Sequence, residues 1–383
     1  MTNPTLNSTS AADLIAAIDS RIKKVHTQRL DMSFNELVDM YGNKELDISP
    51  DYQRLFQWTE GARSRFIESL LLEMPVPPIY VVEEDDGRYL LIDGLQRISS
   101  YLHLRGLLNA PHLDPKVEVG DKLVLADCDI VNELNGKTWD DLGTSLQIKL
   151  KRAFVGVEVV RKGSDARFKY HMFKRLNTGG QVLSSQQVRN CTIRLLDGTF
   201  NDFIIELSKD TNFSLSIETI TSERRLSAFD QELILRFFSL KNNRAAFKHD
   251  VSDFMTEYME QVADSESGLT FDYNAERLIF TKTFSIFAQT LGPLSFTYAS
   301  ATRGSITKGF SVYHFEAFSI GIQEVLDKID ISNVDLMAAL KQKFTEIKLD
   351  SEFLRITTGG GKNSPGPLAE RINFVAERLR GLI

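Results

Sequence analysis

The sequence predicts an α+β protein, with an N-terminal α+β unit followed by a mainly helical one. Three observations carry this. The runs 79–82 and 89–92 flank the turn Glu84-Asp85-Asp86-Gly87, which is a hairpin signal. The stretch 153–160 alternates and reads as another strand. From about residue 200 strand signals thin out, and apolar residues sit in helical surroundings.

The elements follow in order. Residues 1–10 are small and polar, a composition that cannot build a core. Leu14, Ile15, Ile18 and Ile22 recur at helical spacing and predict an amphipathic helix over 11–28. A second helix starts near Ser33, with Phe34, Leu37, Val38 and Tyr41 on one face, and Ser33 with Glu36 has the form of a capping box. An extended piece follows over 47–54. Thr59 caps the next helix, whose buried stripe is Phe66, Ile67, Leu70 and Leu71. Met74-Pro75-Val76-Pro77-Pro78 stops it, since proline cannot continue a helix. After the hairpin, Asp93-Gly94-Leu95-Gln96-Arg97 opens a helix with Leu95, Ile98 and Leu102 as its stripe. The stretch 117–131 reads as β-rich, and helices are expected at about 165–176 and 184–195. Beyond 200, Phe203-Ile204-Ile205, Leu233 to Phe238 and Leu278-Ile279-Phe280 read as helical. An irregular loop spans 357–367, and a final helix carries Ile372, Val375 and Leu379. The organisation predicted is an arm over 1–32, an α+β domain over 33–200 and a helical domain over 201–383.

Composition narrows the function. The chain has 383 residues, 42% hydrophobic and 25% charged, with a net charge of −7. These are globular values. No apolar run is long enough to span a membrane, and the first residues do not form a secretory signal. Cys128 and Cys191 are far apart and make neither a zinc pattern nor a disulfide framework, so a reducing cytoplasm is the expected setting. The negative net charge excludes bulk-basic nucleic-acid binding, so any DNA contact needs a local patch.

Three places could carry chemistry. In the first, a strand runs into Asp93-Gly94-Leu95-Gln96-Arg97 and then a helix. Gly94 permits the sharp turn, the helix start offers free N–H groups and a dipole that favours anions, and Arg97 can fork onto phosphate oxygens. Asp93 can hold a metal, orient a water or cap the helix. The alternative is a capped turn in which Arg97 pairs with a nearby acid. The second place is Phe173-Lys174-Arg175-Leu176-Asn177-Thr178-Gly179-Gly180, where Asn177 and the glycines can take positive φ and expose N–H groups, or simply end a helix. The third is charge. Over 145–194 eleven Lys/Arg face only Glu158 and Asp165. Such a cluster favours phosphates, but it also fits a solvated face or the dock of an acidic partner. Its DNA-contact candidates are Lys149, Lys151, Arg152, Arg161 and Lys162.

Other signatures fail. Gly359-Gly360-Gly361-Lys362 lacks P-loop spacing, and the six histidines form no HExxH or HNH-like pair, so no metal site is expected from them. Asp335 with Glu346-Ile347-Lys348 has the letters of a nuclease D…ExK, but a chain of this composition contains an E-x-K roughly once by chance.

Pro50-Asp51-Tyr52-Gln53-Arg54, Trp58, Pro75-Val76-Pro77-Pro78, the Asp93-to-Arg97 pentapeptide and Arg175-Leu176-Asn177-Thr178-Gly179-Gly180 occur in one order. Together they resemble the family marked by a DGQQR signature, whose fold is related to ParB and sulfiredoxin. That family forms the S half of GmrSD-type modification-dependent restriction enzymes and occurs in proteins that sense phosphorothioate DNA in phage defence. The resemblance covers about 33–200, and a helical remainder is typical. It implies a ParB/sulfiredoxin-like domain that binds a nucleoside triphosphate with Mg²⁺, hydrolyses it in some members, and serves restriction of foreign DNA. Asp93, Gly94, Gln96 and Arg97 would contact or activate the phosphates, Asp93, Gln96 and Arg97 as the catalytic set. Arg54 would lie nearby, and Asn177, Gly179 and Gly180 would form the opposing loop. Leu95 stands where the signature has glutamine, which removes one polar group and weakens the case for hydrolysis more than for binding. No HNH nuclease module is present, so cutting would need a separate nuclease or other defence-system partner. Sulfiredoxin chemistry lacks its cysteine. Two other readings stand beside a nucleotide-dependent regulator. One is a ParB-like DNA-binding protein without turnover. The other is an interaction module for a separate nuclease, with self-association open in each case.

Overall fold

The computed structural model describes residues 10–22, 26–48, 58–111, 113, 115–164, 172, 184–248, 250–300 and 305–382. Residues 1–9, Pro50 to Arg54, the helix expected over 165–176 apart from Met172, and Asn177, Gly179 and Gly180 lie outside that set. The chain divides into two compact units, Met1–Val182 and Leu183–Ile383. It is an α+β protein, with a mixed sheet in the first unit and helices dominating the second.

The first unit begins with α1 (Ala11–Ile22), on which Leu14, Ile15 and Ile18 are exposed. The helix expected to run to 28 does not reach that far. Thr27–Ser33 is instead strand β1, because Leu30 and Met32 alternate inward while their neighbours stay polar. Ser33 ends the strand and caps α2 (Phe34–Gly42): its hydroxyl accepts from the Glu36 N–H at 3.1 Å. Phe34, Leu37 and Val38 are buried. After β2 (Leu46–Asp47) comes α3 (Glu60–Leu71), whose cap Thr59 accepts from Ala62 N–H. Phe66, Ile67, Leu70 and Leu71 are all buried, and the prolines end the helix as expected.

The hairpin forms β3 (Ile79–Glu83) and β4 (Tyr89–Asp93), and β4 feeds directly into α4 (Leu95–Leu104). Later come α5 (Gly143–Arg152) and β5 (Phe154–Val160). The sheet order is β1-β5-β3-β4-β2. The last strand in sequence is thus inserted centrally, antiparallel to β1 and parallel to β3. Val155, Val157 and Val159 with Ile79, Val81 and Leu91 bury one sheet face against α2, α3 and α4. Phe34 packs its ring on Phe66 and Tyr101 at 5.8 and 5.0 Å between centroids.

The β-rich reading of 117–131 is corrected. Beyond a single bridge from Ala110 to Val117, that stretch is irregular. Leu123, Leu125 and Cys128 are buried as strand residues would be, but their neighbours' backbone groups find side chains. The Ser64 hydroxyl accepts from Ala126 N–H, and the buried Glu68 carboxylate accepts from Ile130 and Val131.

The second unit is built from α6 (Ser185–Thr192), α7 (Thr199–Leu207), α8 (Thr211–Ser216), α9 (Ser222–Leu226), α10 (Phe229–Asn243), α11 (Val251–Ala263), α12 (Tyr273–Thr290), α13 (Val312–Gly321), α14 (Val334–Leu349), α15 (Ser351–Thr357) and α16 (Pro365–Arg380). One hairpin interrupts them, β6 (Thr297–Ser300) with β7 (Ser305–Phe310). The core is rich in phenylalanine: Phe213, Phe237, Phe238, Phe280 and Phe284 are fully buried and pack edge-on or tilted, except that Phe238 stacks on Phe280. The irregular segment expected over 357–367 is shorter, because Thr357 completes α15 and Pro365 starts α16, where a missing N–H costs nothing. Among the described residues no helix is long and apolar enough to cross a membrane.

Candidate functional site

The strand-to-helix junction of the first unit depends on Gly94. Its φ is +112°, a left-handed value, and a Cβ there would lie 2.8 Å from Ile79 Cγ1. Glycine satisfies both demands at once. Gly94 is also the N-cap of α4, and no side chain caps the helix there. The first backbone N–H groups of α4 therefore lack a side-chain cap at the positive end of the helix dipole.

Asp93 and Arg97 bracket that start. Arg97 Nη2 donates to Asp93 Oδ2 at 2.8 Å and Nη1 donates to the Pro77 carbonyl at 3.2 Å. The Arg97 side chain is 11% exposed and that of Asp93 is 41% exposed. Arg97 Nε is buried and has no hydrogen-bond partner among the described residues. A guanidinium carries five N–H donors, so the pair with Asp93 leaves donors to spare. The junction thus combines helix N–H groups without a side-chain cap, an incompletely satisfied guanidinium and a half-exposed carboxylate. This arrangement can bind an anion and present one carboxylate beside it.

Gln96 turns inward to the backbone. Its Oε1 accepts from the Trp58 N–H at 3.1 Å, tying α4 to the chain just after Arg54 in sequence. Arg63 holds the other side of the same residue, donating from Nε to the Trp58 carbonyl at 2.8 Å. Arg63 Nη1 lies 3.1 Å from His103 Nδ1. Arginine can only donate, so Nδ1 accepts and the ring proton resides on Nε2. Burial, reinforced by the Arg63 charge, pushes the His103 imidazolium down to about 4. Burial likewise lowers the Arg63 value, against Glu60. Leu95, in the signature position, packs onto the hydrophobic core. Sequence reading missed Arg63 and His103. The available signal was an arginine placed on the α3 stripe that also carries Ile67 and Leu70.

The described members of the basic cluster divide between the two units, and several of them are paired. Arg189 is buried in the second unit, bonded to Thr256, Gln186 and Ser252. Arg194 pairs with Asp202 at 2.8 Å. In the first unit Lys149 pairs with Glu73 at 2.9 Å, and Arg161 pairs with Glu83 at 3.1 Å. The Lys162 N–H donates to the same Glu83. Lys151 and Arg152 are exposed in the last turn of α5, with no ion pair among the described residues. Arg167, Lys169, Lys174 and Arg175 lie outside the described set, as do Arg54 and the Asn177-to-Gly180 loop.

The weaker motifs resolve structurally. Lys362 donates to the Arg355 and Thr358 carbonyls, closing the end of α15 rather than cradling a phosphate. Lys348 is buried and donates to the Leu294 and Thr297 carbonyls at 2.6 and 2.9 Å, whereas Glu346 lies on the solvent side of α14. The D…ExK letters therefore do not converge.

No curated protein and no solved structure matches the chain. Residues 34–194 match the family described as GmrSD restriction endonuclease, N-terminal domain. That stretch spans α2 to α6 and contains the Asp93–Arg97 junction, its Trp58 anchor and the inserted strand β5. The segment from 34 to 194 is therefore a member of the GmrSD restriction endonuclease N-terminal domain family.

Proposed function

We propose that this chain is the nucleotide-responsive regulatory component of a GmrSD-type restriction system, and that a nucleoside triphosphate binds at the start of α4. The single observation that carries this reading is Arg97, whose guanidinium is nearly buried beside an uncapped helix start with one nitrogen unpartnered among the described residues. Phosphate oxygens supply the missing acceptors, and the helix N–H groups add to the same field. Asp93 fits Mg²⁺ of the kind held chiefly by phosphates, which needs only one or two protein carboxylates. When bound, Mg²⁺ would neutralise phosphate charge. The chain's own part is Arg97 on the phosphate oxygens, Asp93 orienting ion or water, and Gln96 holding Trp58 in place. Leu95 adds no polar group, so binding rather than turnover is what this geometry supports best.

The test is a thermal-shift panel with ATP, GTP, CTP and UTP, each with Mg²⁺. A ligand at 100 times its dissociation constant adds about 2.7 kcal/mol of stability. One nucleotide should raise the midpoint by several degrees, and Arg97→Ala should abolish the shift with the fold intact. No shift with any of the four would discard the reading. A second reading, direct DNA contact, is favoured by Lys151 and Arg152 standing exposed at the end of α5. A separate nuclease partner and self-association belong to the same proposal, and both are read by co-purification and by solution mass.

A further inference from the structure

The strand register places a continuous row of side chains across four strands. Asp93 on β4 is opposite Tyr80 on β3. Tyr80 is opposite Glu158 on β5, and Glu158 is opposite Arg29 on β1. Residues directly opposite share a sheet face, so this row leads from the Asp93–Arg97 junction to the sheet edge. It crosses three inter-strand spacings of about 4.8 Å, a span of roughly 14 Å that an extended nucleoside triphosphate covers.

The far end of the row has three features that the fold itself does not use. Gly156 stands inside β5, two residues before Glu158 on the same face, with no left-handed φ to require glycine. A Cβ there would meet Arg29 Nη2 at 3.4 Å and Pro78 Cβ at 3.7 Å, which are ordinary contacts, so packing does not require glycine either. A strand-interior glycine leaves bare backbone that a flat group can approach closely. Phe154, the next residue on that face, is 70% exposed. Arg29 lies along the glycine with its side chain 70% exposed, reaching Glu158 only at 3.7 Å. A flat floor, a bare aromatic ring and a loosely paired guanidinium are the surroundings in which a nucleobase stacks.

We propose that the base of the nucleotide lies over Gly156, between Phe154 and Arg29, with its phosphates at the start of α4. This rests on the phosphate reading of Arg97. It makes Phe154, Gly156 and Arg29 the residues that separate a nucleotide from bare polyphosphate.

The test measures binding of ATP, GTP, CTP and UTP with Mg²⁺, of inorganic tripolyphosphate, and of duplex DNA. The proteins are wild type, Phe154→Ala, Gly156→Val, Arg29→Ala and Arg97→Ala, with Gly156→Ala as a variant that fits the existing contacts. The expected result is a loss of about ten-fold or more in affinity for the preferred nucleotide in Phe154→Ala, Gly156→Val and Arg29→Ala, with tripolyphosphate unchanged. Arg97→Ala should weaken both ligands. If those three variants bind nucleotide like wild type while Arg97→Ala does not, the base subsite is wrong and the phosphate site stands. If they lose nucleotide and tripolyphosphate equally, or lose only duplex DNA, the base subsite is also overturned. If wild type binds no nucleotide, or Arg97→Ala has no effect on it, the phosphate reading itself falls.

Discussion

Each unit of this chain carries an arginine–carboxylate arrangement, and the two are opposites. In the helical unit Glu316 is fully buried, and every polar atom of its carboxylate is engaged. Arg236 Nη1 donates to Oε1 at 2.7 Å, while Arg371 donates to Oε2 from Nε at 3.0 Å and also from Nη2. Arg371 further holds the Lys362 carbonyl, and Arg236 reaches Glu232. Burial disfavours the Arg236 cation, but Glu316 and Glu232 outweigh it and raise its pKa. In the sheet unit Arg97 has one carboxylate, one carbonyl and a buried nitrogen without a partner among the described residues. A buried network of this kind contributes fixed geometry, even though Arg236 Nε, like Arg97 Nε, has no hydrogen-bond partner among the described residues. An unsaturated, half-open pair has capacity for a ligand. Neither the number of charges nor an unpartnered Nε distinguishes the two; the carboxylate does, since Glu316 is fully buried between two guanidiniums whereas the Asp93 side chain is 41% exposed beside one.

The contrast can be broken most forcefully at Glu316. Removing a buried carboxylate strands two guanidiniums, so Glu316→Ala should cost about 3–5 kcal/mol. Urea titration reads this, and a loss under 1 kcal/mol would mean the network is not what fixes the helical unit.

Next in size is pH. His103 titrates at about 4 in the folded chain and near 6.5 when unfolded. Between those values only the unfolded chain takes up the proton. Its contribution is therefore complete above about pH 6.5, falls with falling pH by about 1.4 kcal/mol per unit, and levels off below about 4. The difference between wild type and His103→Gln in urea midpoints across pH 4–7 isolates this. A constant difference would contradict the buried, Arg63-bonded ring.

Gly94→Ala should cost about 1–3 kcal/mol, because it combines a left-handed φ with the 2.8 Å approach to Ile79. Retention of full stability would mean the junction relaxes without consequence. Arg97→Ala sharpens the comparison from the other side. It should change stability by about 1 kcal/mol or less while removing nucleotide binding, since a partly exposed pair contributes little to folding. The smallest effect is expected at Lys151 and Arg152. Reversing both charges should make the fall of log K for DNA with log salt shallower by about one for each phosphate that the chain no longer neutralises. An unchanged slope would mean that α5 does not touch DNA.

Local chemistry made the hairpin, the Thr59 and Ser33 caps and the Asp93–Arg97 turn legible, since each depends on residues a few positions apart. Strand β1 was hidden because Leu30 and Met32 are its only inward apolar residues, and the preceding helical spacing extended naturally over its first residues. The irregular 117–131 stretch misled for the opposite reason. Its apolar residues are spaced like a strand's, but Glu68 and Ser64, from a distant helix, take the backbone bonds. Within the candidate site, Asp93, Gly94 and Arg97 could be read from the sequence. The roles of Gln96 and Arg63 could not, because their shared partner is the Trp58 backbone, which has no letter of its own.

The insertion of β5 between β1 and β3 also determines when the platform can exist during synthesis. A nascent chain that has left the ribosome only as far as the hairpin holds Asp93 and Arg97, but it has no neighbour for Tyr80 on that side and nothing to anchor β1. The four-strand row closes only after Val160 has emerged. Fragments ending before β5 therefore keep the Asp93–Arg97 junction but lack Phe154, Gly156 and Glu158, and with them the strand that joins β1 to the hairpin.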